Sequence, residues 1–132
     1  MFIILVGCKN EEIVDDNQIF NLYCFKEYDK YEEYISIEYN RNDISYLGFS
    51  YVFDYEIKDS MNKIDLDKYK TMNLKYDDFS LDFHYDNVGD YISLKEQLKE
   101  LLKLREDKFN YIVDGKIEYD LLRNYLEDYL CK

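Results

Sequence analysis

The chain has 132 residues, 47% of them apolar and 18% aromatic, with sixteen tyrosines, no tryptophan and no proline. That is enough apolar material for one folded domain without metals or disulfides, and too much for a disordered chain. The formal net charge of -12 repels nucleic-acid phosphates, so direct DNA or RNA binding is excluded as an expectation. The negative charge is concentrated early. Residues 1–60 carry 5 basic and 13 acidic residues, whereas residues 93–132 carry 8 and 9.

Leu5-Val6-Gly7-Cys8 has the pattern of a bacterial lipoprotein box, in which the cysteine takes a lipid. Only Phe2–Val6 precede it, without a basic region, so the expectation is a first strand with Gly7 at its exit. A polar connection follows over Glu11–Asn17. Ile19–Tyr28 then reads as a strand with large groups on both parities.

Tyr34–Asn40 alternates cleanly, with Ile35, Ile37 and Tyr39 on one side. Asn40-Arg41-Asn42-Asp43 signals a turn. Ser45–Ile57 repeats the period, burying Leu47, Phe49, Tyr51, Phe53, Tyr55 and Ile57. An antiparallel hairpin is expected, with Glu38, Asp54 and Glu56 on its wet face. Residues 58–73 read as a loop or as a short helix near Leu66–Met72. Leu74 and Tyr76 then suggest an edge strand, and residues 79–85 another strand, with a turn around Gly89.

Ser93 and Glu96 have the spacing of a capping box, and Leu94, Leu98, Leu101, Leu102 and Phe109 form an apolar stripe. Asp114-Gly115-Lys116 breaks the run. A second stripe follows, from Ile117 through Leu121, Leu122, Tyr125, Leu126 and Tyr129 to Leu130. The expected fold is α+β: an antiparallel β-sheet of about four to six strands packed on a C-terminal helix hairpin. It forms a single acidic domain over residues 1–132, with sheet to about residue 87 and helices over about 93–131.

The chemistry-bearing residues are sparse. His84 lies between Asp82 and Asp86, half of a general-base arrangement, but one histidine assigns no triad. Asp65 and Asp67, or Asp77-Asp78, lack the glycine and distal glutamate of a calcium loop. Four isolated glycines build no phosphate loop. No metal and no cofactor are expected, and no membrane span, since no stretch nears about 20 apolar residues. Cys8, Cys24 and Cys131 form no CxxC pair, and free thiols in a reducing cytoplasm are expected.

A binding surface is therefore the expected function. Glu38, Asp54, Glu56, Asp82 and Asp86 fall on the outward parity of neighbouring expected strands, with Tyr46 and His84 among them. Acids two apart on a strand lie about 6.6–6.8 Å apart, so the array could mimic a nucleic-acid backbone. The primary expectation is an acidic inhibitor or antidote, akin to an immunity protein, that blocks a basic partner such as a nuclease or nucleic-acid-binding protein. The alternative is a structural or adaptor domain that associates through exposed tyrosines, with a homodimer as one form. A small hydrolase ranks last.

Overall fold

A computed structural model describes residues 18–132. The strand proposed before Gly7 and the polar connection after it lie outside the described residues.

Six strands form one antiparallel sheet. They are β1 (Phe20–Glu27), β2 (Tyr31–Asn40), β3 (Asp43–Phe53), β4 (Lys75–Tyr76), β5 (Ser80–His84) and β8 (Leu130–Cys131), in spatial order β4-β5-β3-β2-β1-β8. The α+β expectation holds. The sheet packs against the C-terminal helices α2 (Val88–Leu102) and α3 (Tyr119–Tyr125).

Strict alternation in β2 and β3 does what it should. Ile35 faces Phe49 and Ile37 faces Leu47 across the pair, and all four are buried. The two-residue turn Arg41-Asn42 joins the strands, with Arg41 in the left-handed region at φ 56°. Two pairs from the turn the register slips between Glu38 and Tyr39, leaving Ser45 as a bulge whose Oγ donates to the Glu38 carbonyl at 3.3 Å.

Helix α2 lays Tyr91, Leu94, Leu98 and Leu102 on the sheet. Its start differs from the capping box. Asn87 is the N-cap, accepting from the Asp90 N–H at 2.9 Å, and Ser93 sits mid-helix with its hydroxyl 2.7 Å from that of Tyr69. The spacing of Ser93 and Glu96 is compatible with any helical position, whereas Asn87 holds an extended backbone that only a cap permits. Gly89 accordingly belongs to the first turn of α2. Short helix α1 (Lys58–Met61) and a 3-10 helix (Leu66–Met72) bury Met61, Tyr69 and Met72 beside it.

The second helix is much shorter than its stripe. Lys103, in the left-handed region at φ 59°, ends α2. An irregular stretch leads to a hairpin of β6 (Ile112–Val113) and β7 (Lys116–Ile117), turned by Asp114-Gly115 at φ 52° and 79°. Asp-Gly with two positive φ angles is a hairpin turn, not a helix end. Helix α3 then buries Leu122, and Leu126 follows it into the core. The chain leaves the stripe after Tyr129, and Leu130 is 75% exposed. Instead of extending a helix, the last residues join the free edge of β1, where Tyr23 and Lys132 exchange backbone hydrogen bonds at 2.9 Å.

That edge also overturns the expectation of free thiols at two positions. Cys24 and Cys131 oppose one another across β1 and β8 and form a disulfide. The 107-residue separation hides the pairing in the sequence, and strand register alone brings the two together.

Candidate partner-binding face

The sheet has two unlike faces. The inner one carries the core and, within it, a polar relay. Glu33 shares the inward parity of Tyr31, Ile35 and Ile37, and is 6% exposed. Its carboxylate accepts from the Tyr51 hydroxyl at 2.5 Å and from the Tyr129 hydroxyl. Tyr129 also lies 2.7 Å from the Tyr28 hydroxyl, which accepts from the Arg105 guanidinium at 3.0 Å. A second relay runs through the Tyr91 and Tyr111 hydroxyls to Asp107, which pairs with Lys95 at 3.3 Å. A buried carboxylate is tolerable only when satisfied in this way.

Burial pushes the Tyr51, Tyr91 and Tyr111 hydroxyls well above the usual tyrosine range. The carboxylate of Glu33 adds to this at Tyr51, and that of Asp107 at Tyr91 and Tyr111. The hollow between Glu33, Lys95 and Arg105 is about 10 Å³, room for roughly one water. These acids hold the fold together and are not open to a substrate. The sequence signal for Glu33 was its parity, two residues before Ile35.

The outer face is open: among the described residues no helix packs on it. Register sets its rows. One row runs Leu130, Phe25, Tyr34, Ser50, Asp82 and Lys75; the next runs Tyr23, Ser36, Gly48 and His84. Tyr23, Tyr34 and Tyr46 are 56%, 40% and 42% exposed. The Phe25 and Tyr34 rings meet at 5.0 Å, and the Tyr34 hydroxyl donates to Glu32 at 2.9 Å. That hydrogen bond raises the Tyr34 pKa and holds its ring in place. Tyr46 lies over Gly48, where a Cβ would stand 2.5 Å from its hydroxyl, and reaches toward His84 at 5.8 Å between rings. Beside Tyr46 and His84 lies a shallow hollow of about 250 Å³, floored by Gly48 and Ser50 and bounded by Tyr34 and Asp82.

The seven residues anticipated for a partner divide. Glu38, Tyr46, Asp82 and His84 share this outer face. Asp54 and Glu56 lie beyond it, because β3 ends at Phe53 and the chain bends there. The Asp54 N–H donates to the Lys30 carbonyl at 3.1 Å, outside the ladder of β3. Asp86 stands in the connection to α2, where its carboxylate accepts from the Asn87 side chain at 3.2 Å. Charges missed by the sequence reading, Glu27 and Glu32, take the outward positions opposite one another on β1 and β2.

His84 pairs with neither neighbouring acid. Its Nδ1 lies 3.1 Å from the Tyr85 carbonyl, and no hydrogen bond joins it to Asp82 or Asp86. Among the described residues no three His, Cys, Asp or Glu side chains group to hold a metal ion, and no helix is long and apolar enough to cross a membrane.

Tyr23, whose strand showed large groups on both parities, and Tyr34, at the start of the strand read over residues 34–40, are both exposed on this face. Compared with known proteins, the chain matches no family model, no curated protein and no solved structure.

Proposed function

We propose that this chain is an adaptor-like binding domain that grips a protein partner with the outer face of its sheet. The observation that carries the reading is that Tyr23, Tyr34 and Tyr46, on three neighbouring strands, are exposed on a sheet face that no helix covers among the described residues. Tyrosine offers a large rigid contact surface at low entropic cost, with a hydroxyl for the wet rim, and is enriched where interfaces concentrate their energy. Glu27, Glu32, Glu38 and Asp82 surround these rings, with Lys75 at one edge. Aromatic centre and charged rim follow the usual anatomy of an interface. An acidic rim on a chain of net charge -12 favours a basic partner over a second copy of itself, which it would repel.

The acidic inhibitor is the second reading, favoured by that same rim. Here charge, not ring contact, would supply the affinity.

One experiment separates them. The intact chain, a Tyr23→Ser/Tyr34→Ser/Tyr46→Ser variant and a Glu32→Lys/Glu38→Lys/Asp82→Lys variant are used to capture and then titrate the partner at rising salt. The adaptor reading expects the tyrosine variant to lose about 30-fold or more in affinity, with modest salt dependence. Loss confined to the lysine variant, steep in salt, transfers the function to the inhibitor reading. Full binding by both variants removes the face from consideration.

A further inference from the structure

After Tyr129, the last described residues rest on one short strand and a disulfide. Strand β8 has two residues, paired to β1 only at Cys24 and Cys131 and at the Tyr23–Lys132 backbone bonds just beyond. Leu130 points outward at 75% exposure. So short an edge strand frays unless tied down. Cys24, by contrast, is 2% exposed and packs within the core of the inner face. A bond from it to Cys131 fixes the end of the chain next to Tyr129, whose hydroxyl donates to buried Glu33. The bridge therefore supports the polar relay as well as the edge of the sheet.

We propose that this protein folds and works outside the reducing cytosol, closed by the Cys24–Cys131 disulfide. The cytosol keeps such pairs as thiols, whereas secretory and periplasmic spaces join them. The expectation of a reducing cytoplasm rested on free thiols, and the bridge removes that support. Formation is a thiol–disulfide exchange. The Cys24 and Cys131 thiols give two electrons and two protons to a disulfide-bearing oxidoreductase, which leaves as its dithiol while the new S–S bond forms.

This inference is independent of which partner the outer face takes.

The test begins with chain isolated from its native source under acid quench. Denatured chain is alkylated with and without prior reduction, and Cys24 and Cys131 are followed by peptide mass. Export expects Cys24 and Cys131 to be blocked until reduced. Purified oxidised chain should melt about 10 °C or more above the reduced form and above Cys24→Ala/Cys131→Ala. Should the double variant fail to fold, the comparison of oxidised with reduced wild-type chain carries the measurement alone. Cys24 and Cys131 alkylated without reduction in native material, or equal melting of the two redox forms, would overturn the proposal.

Discussion

The two faces of this sheet are built from the same residue types and come out opposite in purpose. Both carry tyrosines and carboxylates. On the inner face Tyr51 and Tyr129 close around Glu33, and every polar atom of the group finds a partner. On the outer face Tyr23 and Tyr46 stand in the open beside Glu38 and Asp82. A tyrosine hydroxyl thus serves as an internal ligand for a buried acid, or as the wet end of an exposed ring. Which of these it becomes depends on strand parity and not on the residue. Composition alone therefore says little about whether a tyrosine-rich chain is a binder.

High pH should break the comparison most completely. Burial pushes the Tyr31 hydroxyl up to about 12, and Tyr51, Tyr91 and Tyr111 are also raised. An unfolded tyrosine ionises near pH 10, so the unfolded chain gives up these protons first. The stability tied to the raised values is complete below about pH 10 and is lost as pH rises toward 12 and beyond. Tyrosinate absorbance followed alongside far-UV circular dichroism should show the inner tyrosines ionising together with loss of the sheet. Smooth ionisation of all sixteen with the sheet intact would contradict their burial.

Next in size is a pair of truncations on facing parities. Phe53→Ala on the inner face should cost about 3–5 kcal/mol, through lost burial and the cavity left behind. Tyr34→Ala on the outer face should cost about 1 kcal/mol or less, its exposed ring losing the Phe25 contact and the Glu32 hydrogen bond. Urea unfolding of both proteins measures the contrast, and equal costs would mean that the outer face is also a core. The same pair sharpens function, since Tyr34→Ala should weaken partner binding without unfolding anything.

The smallest expected effect is at Gly48. A methyl group there meets the far end of the Tyr46 ring, which is exposed and can swing aside. Gly48→Ala should therefore move the urea midpoint by no more than about 0.5 kcal/mol in stability, while turning Tyr46 away from His84. Chemical-shift changes confined to Tyr46, His84 and their neighbours would check it. A large loss of stability would show that Tyr46 is held more firmly than its exposure implies.

Where local pattern and neighbour relations coincide, the sequence was readable. Alternation from Ile35 to Phe53 identified two strands, their turn and their buried sides, because period two is a property of the strand itself. The stripe from Leu94 to Leu102 identified α2 for the same reason. Readings failed where a local signal had two meanings. Ser93 and Glu96 could be a cap or an ordinary helical pair, and Asn87, six residues earlier, settled the matter by its backbone. Asp114-Gly115 could close a helix or turn a hairpin. The alternation through Tyr55 and Ile57 continued in the letters after β3 had ended, taking Asp54 and Glu56 off the candidate face.

By itself, then, the sequence determined the fold class, the central hairpin and which parity of β2 and β3 would be wet. Those depend on spacing within a single segment, where the energy of burial acts on neighbours two or four residues apart. Tertiary structure alone decided that Glu33 would be a satisfied core acid and that Leu130 would leave its stripe. It also decided that Tyr23 and Tyr34 would stand exposed on neighbouring strands of one face, and that Cys24 would meet Cys131. Each of those outcomes joins positions on different strands, and in the last case positions 107 residues apart. The register that joins them is fixed by the packing of the whole sheet against its helices, which no single segment encodes.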